Sequence, residues 1–126
     1  MVSPTGLTIT VASGASVSGV FSQPGGTVLC AICTGSTLDG TTDGISFKGW
    51  SGATTGAGSF VNLYTSGGTL IDVSTTSALW PHAATLNQNT RESLKGFERL
   101  KLLLTDGGTA DAQSAARTIW LRFGRI

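Results

Sequence analysis

Two cysteines, one histidine, seven carboxylates, three tryptophans and one tyrosine are the side chains of this 126-residue sequence that could do more than pack. Cys30 and Cys33 form a Cys-x-x-Cys pair. Positions three apart on a strand point to opposite faces, so the thiols are expected to diverge. A redox pair wants a helix N-terminus to lower the thiol pKa, and none is expected here. Zinc needs two further ligands, and the sequence offers only His82 and a carboxylate. The pair therefore reads as reduced, metal-free structural cysteines. His82 follows Pro81 in an expected loop. A general base needs a nucleophile and an orienting carboxylate, and no Gly-x-Ser-x-Gly elbow supplies one.

The carboxylates are Asp39, Asp43, Asp72, Glu92, Glu98, Asp106 and Asp111. Residues 39–44 and 106–111 each place two aspartates in a Gly-rich loop. Their spacing is not that of an EF-hand, and Asx-turns are the expected use of these side chains. Nothing selects a glycosidase pair. The sequence contains no phosphate-cradling Gly-x-x-x-x-Gly-Lys-Ser/Thr loop and no basic-aromatic stripe. Trp50, Tyr64, Trp80 and Trp120 are the large aromatics that could form a sugar-stacking platform, although core packing is the commoner use of such residues.

The elements that must hold these residues read as strands. Arg99–Thr105 and Arg117–Phe123 are expected to fold back on each other as a hairpin at the centre of the core. Leu100, Leu102 and Leu104 share one face of the first strand, as Ile119, Leu121 and Phe123 do of the second. Leu7–Ala12 and Ser16–Phe21 alternate with β-branched residues, and the turn residues of 23–26 break the pattern. Thr27–Thr34 is apolar on both faces, as in a buried strand. Residues 35–44 read as a loop and Ile45–Trp50 as a strand. Ser59–Thr65 and Thr69–Ser74 flank Ser66-Gly67-Gly68 and predict a hairpin. Residues 78–93 read as a partly irregular connection, with one helical turn at Arg91–Lys95. Eight or nine strands in one domain favour a sandwich or jelly roll.

Charged residues make up 12% of the chain, against roughly 25% in ordinary domains. With a net charge of +1, no strong field draws the protein to nucleic acid or to an anionic membrane. So sparse a charge predicts that part of the surface is covered by a partner. Residues 1–6 show no secretory pattern, and no apolar run reaches the roughly 20 residues of a membrane helix. The expectation is a soluble protein made in a cytoplasm.

From Gly44 onward the order of features resembles small all-β virion structural proteins of tailed bacteriophages, of the head-decoration or cement type. The residues that carry it are Ile45-Ser46-Phe47, Gly58–Tyr64, the Gly67-Gly68 turn, Leu94–Leu102 and Gln113–Leu121. The pattern Gln-x-Ala-Ala-Arg-Thr-Ile before the terminal strand is its most recognisable part. The chain departs from the pattern at Leu104–Thr109, where an Arg-Ser-Gly-Thr-like start is expected. The resemblance implies a protein without catalytic residues that binds the major capsid protein of the phage head.

The combined expectation is a single-domain, antiparallel β-sandwich of jelly-roll type over residues 7–126, with residues 1–6 as a flexible arm. No catalytic, cofactor-binding or metal-binding residue is assigned. The resemblance implies a capsid decoration or cement protein on the virion surface, made in the host cytoplasm. Its partners would be the major capsid protein and possibly a second copy of itself, without nucleic acid or membrane. The alternatives are a neck or tail component, or a glycan-binding module on the tail. A glycan module should expose two or more tryptophans in one groove.

Overall fold

Alternating apolar side chains give each of the long strands one buried face, and two sheets close those faces on each other. The computed structural model describes residues 5–35, 38–39, 41–50, 52, 59–74 and 82–125. In chain order the elements are β1 (Thr5–Val11), β2 (Phe21–Ser22), β3 (Thr27–Thr34), β4 (Gly44–Trp50), β5 (Phe60–Asn62), β6 (Asp72–Ser74) and β7 (His82–Thr85). Then follow α1 (Gln88–Leu94), β8 (Arg99–Asp106), β9 (Thr109–Ala110) and β10 (Arg117–Arg125). Sheet A has the order β1-β10-β3-β7, and sheet B the order β2-β8-β4-β5, with β6 on β4 and β9 on β8. Every pairing among the described residues is antiparallel. The chain is an antiparallel β-sandwich, as the alternation predicts.

The core lies between the sheets. Ile9, Val11, Leu29, Ile32, Ile119, Leu121 and Phe123 come from sheet A, and Phe21, Ile45, Phe47, Leu100, Leu102 and Leu104 from sheet B. Phe21 reaches Phe123 across the gap, with ring centroids 6.1 Å apart. The densest apolar alternation therefore does mark the centre of the core.

The hairpin expected there does not form. β8 belongs to sheet B and β10 to sheet A, so the two strands face each other across the core instead of pairing. Gly107 and Gly108, both at positive φ (59° and 85°), turn the chain back as β9 on the end of β8. Positive φ at both central residues is the two-residue turn that matches strand twist. Residues 111–116 then cross to the other sheet, where β10 lies between β1 and β3.

Residues 59–74 also differ from the expected hairpin. Only the tip pairs with itself, through the Tyr64–Leu70 bridge and Thr65 N–H to Thr69 O at 2.7 Å. Below the tip both arms run along β4: β5 opposite Lys48–Trp50, and β6 opposite Gly44–Ser46. Leu63 N–H bonds Phe47 O, and Ile71 N–H bonds Leu63 O, where the arms part. β5 and β6 thus form one edge strand interrupted by a looped-out hairpin. Counted so, and with β9 as an appendage, the eight principal strands among the described residues pair first with last, second with seventh, third with sixth and fourth with fifth.

Three smaller corrections follow from pairing partners. Thr5 and Gly6, assigned to a flexible arm, are the first residues of β1, opposite Phe123 and Arg122; residues 1–4 lie outside the described residues. The strand expected over 16–21 contracts to a Val17–Leu103 bridge and β2. The irregular connection holds β7, paired with β3, and a helix longer than one turn. Asn87 caps that helix by accepting from Thr90 N–H at 2.8 Å, as N-cap asparagines do.

Candidate functional site

Gln113 is 1% exposed and ties the loops at one end of the sandwich together. Its Oε1 accepts from Asp39 N–H at 2.9 Å and from Arg117 Nε at 3.2 Å. Its Nε2 donates to Thr42 Oγ1 at 2.8 Å and to Asp111 O at 3.1 Å. Its backbone N–H and C=O bond Ala15 O and Gly14 N–H. Around this hub, the Asp39 carboxylate accepts from Ser114 N–H (3.0 Å), Ser114 Oγ (2.8 Å) and Arg117 Nη2. Asp111 Oδ2 accepts from the hydroxyls of Thr41 and Thr42, each at 2.8 Å. A network so connected closes the loops on one another.

The aspartates expected to make local Asx-turns thus reach across the chain. Asp39 binds residues 114 and 117, and Asp43 Oδ1 accepts from Gly107 N–H at 3.0 Å. The Ser114 bonds, then the Arg117 guanidinium, hold the Asp39 carboxyl below its ordinary value of 3.8. The sign follows from linkage: a depressed folded pKa adds stability that is whole above about pH 3.8 and is lost as pH falls through the folded value. Asp39→Asn should therefore flatten the acid limb of the stability curve below that pH. An unchanged acid limb in pH-dependent urea unfolding would show that the pair contributes nothing.

The cysteines break the opposite-face expectation, because β3 carries a bulge. Ala31 pairs with Arg122 and Leu29 with Phe123, so Cys30 is the extra residue. Two residues on a bulged strand then oppose one on the partner, which shifts the alternation by one position. A Cβ on Gly124 would lie 2.8 Å from Cys30 Sγ, and Gly124 faces away from the core. Cys33, opposite Trp120, faces the same way. Both thiols are free, and no group of three or more His, Cys, Asp or Glu gathers among the described residues. His82 begins β7, paired with Thr34, and not a loop.

What remains is surface. The outer face of sheet A presents Thr8, Thr10, Ala31, Cys33, Thr118 and Trp120, with Arg122 as the charge beside Trp120. Trp120 is 46% exposed. Its indole leans over Gly35, where a Cβ would come within 3.3 Å of Cε2. The far face of sheet B gathers a cluster that no sequence stripe announces. Trp50 and Phe60 meet edge to face at 5.3 Å, Arg99 lies 4.4 Å over Trp50, and Lys101 lies 4.7 Å over Phe60. Lys48 stands directly opposite Lys101. Three strands, β4, β5 and β8, contribute, so only folding assembles it. Tyr64, 56% exposed, sits at the hairpin tip of sheet B, and Trp80 lies outside the described residues. No family model, no curated protein and no solved structure matches this chain. Among the described residues, no helix is long and apolar enough to cross a membrane.

Proposed function

We propose that this chain is a structural protein of a tailed-phage virion, one that decorates or cements the capsid by binding the major capsid protein. The observation that carries the reading is the outer face of sheet A, where a half-exposed Trp120 stands among Thr, Ala and Cys side chains with Arg122 at its edge. Depletion of charge around an exposed Trp and Arg is the composition of an interface hot spot. Copies repeated on a shell would turn modest contacts into stable attachment through avidity. The strand order adds support: first-with-last through fourth-with-fifth pairing is what a jelly roll, a layout that occurs in capsid and lectin domains, would require. Fold alone does not assign function; the sequence resemblance and the Trp120 face favour the capsid. On this reading the protein would sit on the virion surface, after synthesis in the host cytoplasm.

A second reading has one observation in its favour. A groove of about 360 Å³ lies beside Trp120, lined by Gly6, Leu7, Thr8 and Arg122. One tryptophan with an arginine is a minimal sugar platform, and Tyr64 belongs to the other sheet. A tail glycan module is therefore the weaker reading.

Co-sedimentation tests the choice. The protein should pellet with assembled capsids and not with free capsid-protein monomers, because a cement's footprint spans subunits. Binding should change little between low and physiological salt, since the net charge of +1 leaves little long-range attraction to screen. Trp120→Thr should weaken it by about 30-fold or more, equivalent to the roughly 2 kcal/mol of a hot-spot truncation, with the fold intact by circular dichroism. Equal binding to monomers and shells, or retention of Trp120→Thr on shells, would refute the reading; capture by host glycans alone would replace it.

A further inference from the structure

The end of sheet B where β4, β6 and β8 meet carries oxygen atoms that no protein group satisfies. Ser46 and Thr105 are both fully buried, and neither Ser46 Oγ nor Thr105 Oγ1 has a hydrogen-bond partner. Buried hydroxyls are normally paired, and each exception calls for a reason. Here the reason is visible in the neighbours. Ser46 stands opposite Asp72 in the β4–β6 ladder, and Gly44 opposite Thr105 in the β4–β8 ladder. A Cβ on Gly44 would lie 2.5 and 2.7 Å from the two carboxylate oxygens of Asp72 and 2.7 Å from Thr105 Oγ1. Three oxygens thus converge above a glycine that leaves the space open.

The electrostatics have the same direction. Burial, and then the charge of Asp43, raise the Asp72 carboxyl above its ordinary value, against a weaker lowering by the Ile45 backbone. Among the described residues the ion pairs are Lys95–Glu92 and Arg117–Asp39, so neither Asp43 nor Asp72 has a cation partner. Asp43 is fixed beside the cradle by Gly107 N–H on Oδ1 and by its own N–H on Thr105 O. Two carboxylates without a countercharge, next to two orphaned hydroxyl oxygens, make an incomplete shell.

We propose that Asp72, Thr105 Oγ1, Ser46 Oγ and Asp43 form a binding site for a hard divalent cation, calcium. The donors are all oxygen and include neutral hydroxyls, which excludes the soft-ligand chemistry of zinc or copper. Calcium accepts six to eight oxygens in irregular geometry, with water completing the shell, whereas magnesium demands a near-ideal octahedron. With only two carboxylates the affinity belongs to the weak class, about 10⁻⁴ to 10⁻³ M. A bound ion would tie β4, β6 and β8 together at the edge where the looped-out hairpin interrupts the strand.

Equilibrium dialysis of chelator-treated full-length protein against ⁴⁵Ca measures the site directly, and thermal melts in 5 mM CaCl₂, 5 mM MgCl₂ or NaCl of matched ionic strength report its linkage to folding. The expected result is about one calcium per chain and a midpoint several degrees higher in calcium than in either other salt. Thr105→Val keeps the shape and removes an unpaired hydroxyl, so the apo variant should melt no lower than wild type while calcium binding weakens about 10-fold. Asp72→Asn should abolish binding. No binding at 5 mM calcium, an equal response to magnesium, or unaltered binding by both variants would overturn the proposal.

Discussion

Replacing Leu121 by alanine is expected to destabilise the protein by about 2–5 kcal/mol, and replacing Leu102 by alanine to do the same. Both side chains are fully buried. Leu121 lies on β10, an interior strand of sheet A, between Leu7 of β1 and Ile32 of β3. Leu102 lies on β8, interior in sheet B, beside Phe47 of β4. Each truncation removes apolar surface burial and leaves a cavity whose walls belong to hydrogen-bonded interior strands. Such walls collapse poorly, which puts the cost above a simple transfer term. Urea unfolding of both variants checks this: the midpoint should fall at unchanged slope. A shift below about 1 kcal/mol would make the strand concerned peripheral.

Gln113→Ala is expected to cost about 2–4 kcal/mol, more than any exposed polar substitution in the chain. The amide joins Asp39 N–H, Arg117 Nε, Thr42 Oγ1 and Asp111 O in one buried position. Removing it strands several groups at once, and a buried donor left unpaired costs about 1–3 kcal/mol. The loss should also loosen the crossing from sheet B to sheet A, since residues 111–116 have Gln113 as their anchor. Ser13→Ala, which removes an exposed 3.3 Å bond to Ser114 O, should stay within about 0.5 kcal/mol. If Gln113→Ala unfolds at the same denaturant concentration as Ser13→Ala, the hub is ornamental.

How far the sequence could be read follows from how local its signals are. β4, β8 and β10 show in period-two alternation and β3 in a continuous apolar run, both properties of consecutive residues. Their partners are not local. Nothing in Arg99–Phe123 distinguishes a hairpin from two strands facing each other across a core, because both bury the same leucines. The bulge at Cys30 leaves no local mark, yet it reverses which face that thiol takes. The same holds for Asp39 and Asp43, whose bonds reach Ser114, Arg117 and Gly107. Their Gly-rich surroundings look like self-contained turns. Gln113 and Arg117 lie within the pattern that gave the phage resemblance its most recognisable stretch, and both act in the hub. The cation cradle was invisible for a further reason: Gly44, Ser46, Asp72 and Thr105 meet only through the registers of two ladders.

We propose that the outer face of sheet A is the surface that meets the capsid. A cryo-electron microscopy reconstruction of the parent particle tests it most directly. The expected result is density for this chain on the shell at junctions between capsid subunits, with Trp120, Thr8 and Arg122 against the major capsid protein. Density at the neck or tail, or on the shell with Trp120 facing solvent, would contradict it.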